Sequence, residues 1–128
     1  MIYKTKVFDR WATEQGLTDQ SLCQAVKEMN AGLIDADLGG GLYKKRVART
    51  GQGKSGGFRT LVATNRGDRW IFVFGFAKNE RDNINKKEQE SLKVLANQLL
   101  ALSKQDLLRM QSKFKLIEVN CHDKIANS

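Results

Sequence analysis

The sequence predicts an α+β fold on three observations. Two short stretches before residue 32 place apolar residues at helical spacing. Three stretches between residues 42 and 76 alternate, or run apolar, in the manner of strands. A leucine stripe of helical period then fills 82–113. At 128 residues one core is expected, in a single domain over 1–128 with a frayed tail from about residue 120.

In chain order, Ile2–Phe8 puts Tyr3, Thr5 and Val7 on one face of a strand. Phe8–Gln15 is a short helix with Trp11 and Ala12 inward, stopped at Gly16. Thr18 can cap a second helix that carries Leu22, Ala25, Val26 and Met29 to about Ala31. Together they suit one face of a sheet. Gly32 ends the pair, and Leu33–Gly41 is expected to be a glycine-rich connection. Leu42–Ala48, Phe58–Asn65 and Arg69–Phe76 are strands, the last two joined by a turn at Arg66-Gly67-Asp68. The run Trp70, Ile71, Phe72, Val73, Phe74, Phe76 should be central and buried on both faces. Asp82–Ser103 forms a helix capped by Asn83 or Asn85, Lys104–Lys113 a second, and Lys115–Val119 a last strand.

Charge is concentrated. Tyr43–Arg81 holds ten Lys or Arg against Asp68 and Glu80, which accounts for the whole net charge of +8. A polyanion such as nucleic acid is the natural partner of that stretch. Cys23 and Cys121 have no metal-ligand spacing, and His122 is the one histidine. No metal and no cofactor is expected, and a His–His acid–base pair is excluded. Met1–Phe8 alternates charged and apolar residues, and no segment approaches ~20 apolar residues, so no membrane span is expected. A cytoplasmic, reduced compartment is the default.

Within the basic stretch, alternation puts Lys44 and Arg46 on one face, about 7 Å apart, and Tyr43, Lys45 and Val47 on the other. Both cations of the first face can reach one phosphate or two neighbouring ones. The plainer alternative is an edge strand kept soluble by charge. Gly53-Lys54-Ser55 looks like the end of a P-loop, but position 48 is Ala48 and a strand follows where a helix is needed. What remains is a glycine-rich loop carrying Arg49 and Lys54 and leading into Arg59. Arg59 shares its face with Leu61 and Ala63, which suits bidentate phosphate recognition. Lys78 and Arg81 follow the end of the buried strand, a stiff support for a site.

Three spaced segments carry a resemblance: Gly41-Leu42-Tyr43-Lys44-Lys45-Arg46-Val47-Ala48, Gly51-Gln52-Gly53-Lys54-Ser55-Gly56-Gly57-Phe58-Arg59, and Phe76-Ala77-Lys78-Asn79-Glu80. Together with Leu116-Ile117-Glu118-Val119 after two helices, they resemble the RelE/HigB superfamily of toxin–antitoxin toxins, nearest its HigB-like branch. The resemblance implies a RelE-like fold: a small twisted antiparallel sheet, two N-terminal helices on one face and a C-terminal helical pair. It implies a ribosome-dependent mRNA endoribonuclease held in check by a cognate antitoxin, of helix-turn-helix type, that covers or distorts the basic face. It also implies roles: Lys44 as base, Arg46 stabilising charge, Arg59 clamping the phosphate, and Lys78 as acid or phosphate contact. Lys45, Arg49, Lys54, Phe58 and Arg81 are the expected RNA or ribosome contacts. One departure stands out. Better-known relatives carry a base-stacking tyrosine just past that strand end, and residues 82–90 contain no aromatic.

The chemistry is consistent with that assignment. RNA supplies its own nucleophile, the 2′-OH, so cleavage needs a base, charge neutralisation at the phosphorane and an acid for the 5′-oxygen. Clustered cations can do this work, since each positive charge lowers the pKa of its neighbours. A non-catalytic RNA- or DNA-binding module using the same face is the alternative. An enzyme for a small acidic substrate would need a His/Asp/Ser constellation that the sequence does not offer.

Overall fold

The computed structural model describes residues 1–48 and 57–121. In chain order the elements are β1 (Ile2–Thr5), α1 (Lys6–Gln15), α2 (Asp19–Asn30), β2 (Ala36–Gly39), β3 (Leu42–Val47), β4 (Phe58–Thr64), β5 (Trp70–Ala77), α3 (Lys86–Ala101), α4 (Lys104–Ser112) and β6 (Leu116–Glu118). The strands form one sheet ordered β2-β3-β4-β5-β1-β6. Its pairs are antiparallel except that β1 runs parallel to β5. The expected α+β architecture is therefore observed. Among the described residues no helix is long and apolar enough to cross a membrane.

The apolar run of β5 lies between β4 and β1, buried at every residue but Phe74. Alternation divides the core between the two faces of the sheet. Phe58, Val62 and Phe72 pack beneath Phe8 of α1 and Leu22, Val26 and Met29 of α2. Leu42, Leu61, Ile71 and Phe76 form the other face, against Ala96 and Leu99 of α3 and Leu107 of α4. Each helix start is capped as its sequence allows: Thr5 accepts from the Phe8 N–H, and Thr18 from the Ser21 N–H. Asn85 and Glu88 form a reciprocal capping box on α3. Lys4 is buried behind α1 and α2, 2.9 Å from Asp9 and 2.8 Å from Asp19.

Four expectations need correction. First, Thr5 caps α1, so β1 stops there and Val7 lies in the first helical turn, 68% exposed. Second, the stretch expected as a plain connection contains β2, which pairs with β3 through a turn whose Gly39, Gly40 and Gly41 all take positive φ. Third, α3 begins at Lys86 instead of Asp82, because Asn85 is its cap and residues 81–84 are engaged elsewhere. Fourth, Cys23 and Cys121 are joined in a disulfide, Cα atoms 5.9 Å apart across a sequence separation of 98. The pairing follows from the return of β6 along β1, where the Val119 N–H donates to the Ile2 carbonyl and the Asn120 N–H to Asp19. The chain is thus anchored through Cys121, and the expected frayed tail beyond it, 122–128, lies outside the described residues.

Candidate nucleic-acid interface

Strand register decides which cations meet. Arg46 of β3 stands opposite Arg59 of β4, and Lys44 stands opposite Leu61. Arg59 in turn stands opposite Phe76 of β5. The ladder continues past β5, where the Lys78 N–H donates to the Gly57 carbonyl at 3.1 Å. Neighbouring strands are about 4.8 Å apart. Arg46 and Arg59 therefore lie side by side, Lys44 is one pleat along, and Lys78 follows directly on the end of the next strand, β5. By alternation Lys44, Arg46 and Arg59 share the face of Leu42, Leu61 and Phe76, toward the end of β3 far from Gly41. At the opposite end, Leu100 of α3 presses on Gly41.

Individual side chains are held differently. The Arg46 backbone N–H donates to Asp35 at 2.6 Å and its Nε to the same carboxylate at 2.7 Å, while 46% of the side chain remains exposed. Lys44 Nζ donates to the Asn83 amide oxygen at 2.9 Å. Lys78 reaches Asp82 at 3.4 Å, a pair whose acidic partner is 93% exposed and which contributes little. Arg59 is half-buried. Arg81 grips Glu88 through both terminal nitrogens and stands over the Phe76 ring at 5.4 Å and the Phe74 ring at 6.0 Å. That ion pair holds the Glu88 carboxyl below its usual range, the Asn85 N–H adding to the effect.

Two expected contacts are placed elsewhere. Lys45 points to the α2 face, where it is 3% exposed, bridges to Glu28 at 2.8 Å and donates to the Leu33 carbonyl. Buried and satisfied there, it has no open path to RNA. Phe58 is 2% exposed, its ring centroid 5.4 Å from that of Trp11, and so is closed to a stacking base. An open hollow of about 280 Å³ is instead bordered by the rings of Phe8, Trp11, Phe74 and Phe76, with Glu80 and Arg81 also lining it. Gly75 lines the hollow beneath Trp11, where a Cβ would meet the indole at 2.3 Å. Arg49 and Lys54 lie outside the described residues.

Sequence reasoning missed Asp35 and Asn83, the residues that hold Arg46 and Lys44. Asp35 falls in the stretch expected as a connection, and Asn83 was one of two equal candidates for a helix cap. Neither carries a motif.

Comparison with known proteins adds the family context. A family model described as the RelE toxin of the RelE / RelB toxin-antitoxin system matches residues 1–119. No individually curated protein matches the chain.

Proposed function

The chain belongs to the RelE toxin family, the toxin of a toxin–antitoxin pair with a cognate antitoxin, and on that premise we propose that it is a ribosome-dependent mRNA endoribonuclease. The observation that carries this reading is the register that sets Arg46 beside Arg59, with Lys44 one pleat along the same face. Both guanidiniums can fork onto one phosphate, as their planar donors suit. Lys44, as its neutral amine, accepts the proton of the 2′-OH, whose oxygen attacks the adjacent phosphorus. Arg59 and Arg46 neutralise the phosphorane, the P–O5′ bond breaks, and Lys78 delivers a proton to the departing 5′-oxygen. The products are a 2′,3′-cyclic phosphate and a 5′-hydroxyl. Preorganised cations of this kind act where charge develops, usually the largest single contribution to such a rate. The antitoxin, of helix-turn-helix type, silences the toxin by covering or distorting this face, and both act in the cytoplasm.

The test is to map mRNA 5′ ends after brief expression of the chain. The expected result is new ends inside translated codons, suppressed when the antitoxin is co-expressed. Growth inhibition without new ends would favour the alternative, a module that binds RNA or DNA through the same cations.

A further inference from the structure

We infer that Asn83 is a positioning residue for Lys44, aiming its Nζ across the basic face without setting a carboxylate against it. The inference rests on the cleavage reading above and deepens it. Several cations in the described residues are held by carboxylates, Lys4 by Asp9 and Asp19, Lys45 by Glu28, Arg46 by Asp35 and Arg81 by Glu88, while Arg69 donates to three backbone carbonyls at the end of α3. Lys44 instead donates to a neutral amide, from a residue 39 positions further along the chain. An amide oxygen orients an amino group as a carboxylate does, yet without a negative charge to hold the group in its protonated form.

The amide is itself fixed. Its Oδ1 also accepts from the Ile84 N–H at 2.9 Å, which marks that atom as the amide oxygen. Ile84 is buried against the α3-side core. The Asn83 carbonyl accepts from Arg81 Nε at 3.1 Å, and Arg81 is gripped by Glu88. Glu88 closes the capping box with Asn85, 2.8 Å in each direction. The start of α3 therefore holds the turn, the turn holds the amide, and the amide holds Lys44. Lysine has among the largest rotamer freedom to lose on being fixed. A lysine already fixed loses less on reaching the transition state, and an error of about 1 Å at such a group can cost on the order of 100-fold.

The experiment compares wild type, Asn83→Ala, Asn83→Asp, Lys44→Ala and the Lys44→Ala/Asn83→Ala double variant in cleavage of mRNA on programmed ribosomes. Asn83→Ala should lower kcat roughly 10- to 100-fold with KM near wild type. Asn83→Asp keeps the size and the acceptor for Ile84 but sets a carboxylate against Lys44, so the rising limb of the pH–rate profile should move to higher pH. On a Lys44→Ala background Asn83→Ala should add no further loss, because its effect runs through Lys44. The inference is overturned if Asn83→Asp keeps both the wild-type rate and the wild-type pH profile, or if the two alanine losses multiply. Should Asn83→Ala fail to fold, the Asn83→Asp profile alone decides. If wild type leaves the mRNA uncut, the cleavage reading fails and this inference falls with it. If wild type cuts and the Asn83 variants match it, the positioning role alone fails.

Discussion

Lys44 and Lys45 are neighbours in β3, and the two faces of that strand treat them in opposite ways. On the α2 side, Lys45 is sealed beneath the helix with Glu28, just as Lys4 is sealed with Asp9 and Asp19. On the α3 side, Lys44, Arg46 and Arg59 stand together toward one end of the sheet with Lys78 just past β5, and all four keep part of their surface exposed. A cation removed from water needs a carboxylate to offset its desolvation, and the pair then belongs to the fold. A cation left in reach of solvent can still meet a ligand, even where, as at Arg46, a carboxylate steadies it. Net charge counts both kinds alike. The comparison teaches that the period of a strand, with the placement of its helices, decides which half of a basic stretch is structural.

Substitutions can break that division. The largest expected effect is on the open side: Arg59→Ala should lower cleavage about 10²- to 10³-fold, the scale of losing one donor to developing charge, while the thermal midpoint stays close to wild type. A comparable loss of midpoint would move Arg59 to the structural side. The α2 side should respond in stability instead. Cys121→Ser opens the loop closed by Cys23 and should cost about 3 kcal/mol in denaturant unfolding of the oxidised protein, with cleavage retained below the transition. Lys45→Ala removes the ammonium from Glu28, 17% exposed, and should cost about 2 kcal/mol, again with cleavage retained. A fall in cleavage on Lys45→Ala in the folded protein would return Lys45 to the RNA.

The smallest effect is a sharpening one, in pH. Burial lowers the pKa of Lys4, but hydrogen bonds to Asp19 and Asp9 outweigh it, and the group ends above its ordinary value. A raised folded value means that its contribution is complete below the unfolded value of about 10.4 and fades as pH rises through the folded one. Urea midpoints of wild type should therefore hold level to about pH 10 and fall above it. Lys4→Met should reduce that alkaline fall to the part contributed by Tyr3, whose hydroxyl pKa burial also pushes up.

Much of this was legible in the sequence, and the remainder was hidden for physical reasons. The apolar run of β5 announced a central strand, Thr18 announced the start of α2, and period two separated Lys44 and Arg46 from Lys45. Period two does not say which face a helix will cover. Lys45 and Phe58 were therefore assigned to RNA, although α2 and Trp11 occupy their side. β2 spans four residues, Ala-Asp-Leu-Gly, too short for alternation to stand out among glycines. The cysteines meet because β6 folds back along β1, a long-range fact that spacing cannot carry. Asp35 and Asn83 act by position alone, and single polar residues in connections leave no pattern to read.

The central proposal is that these rim cations turn the 2′-hydroxyl of an mRNA against its own backbone. It is tested most directly by presenting the toxin with a ribosome-bound mRNA that carries 2′-deoxyribose at the mapped cut and nothing else changed. The account predicts that cutting at that bond stops, while the unmodified message yields a 5′-hydroxyl fragment. Equal cutting of both, leaving a 5′-phosphate, would contradict it.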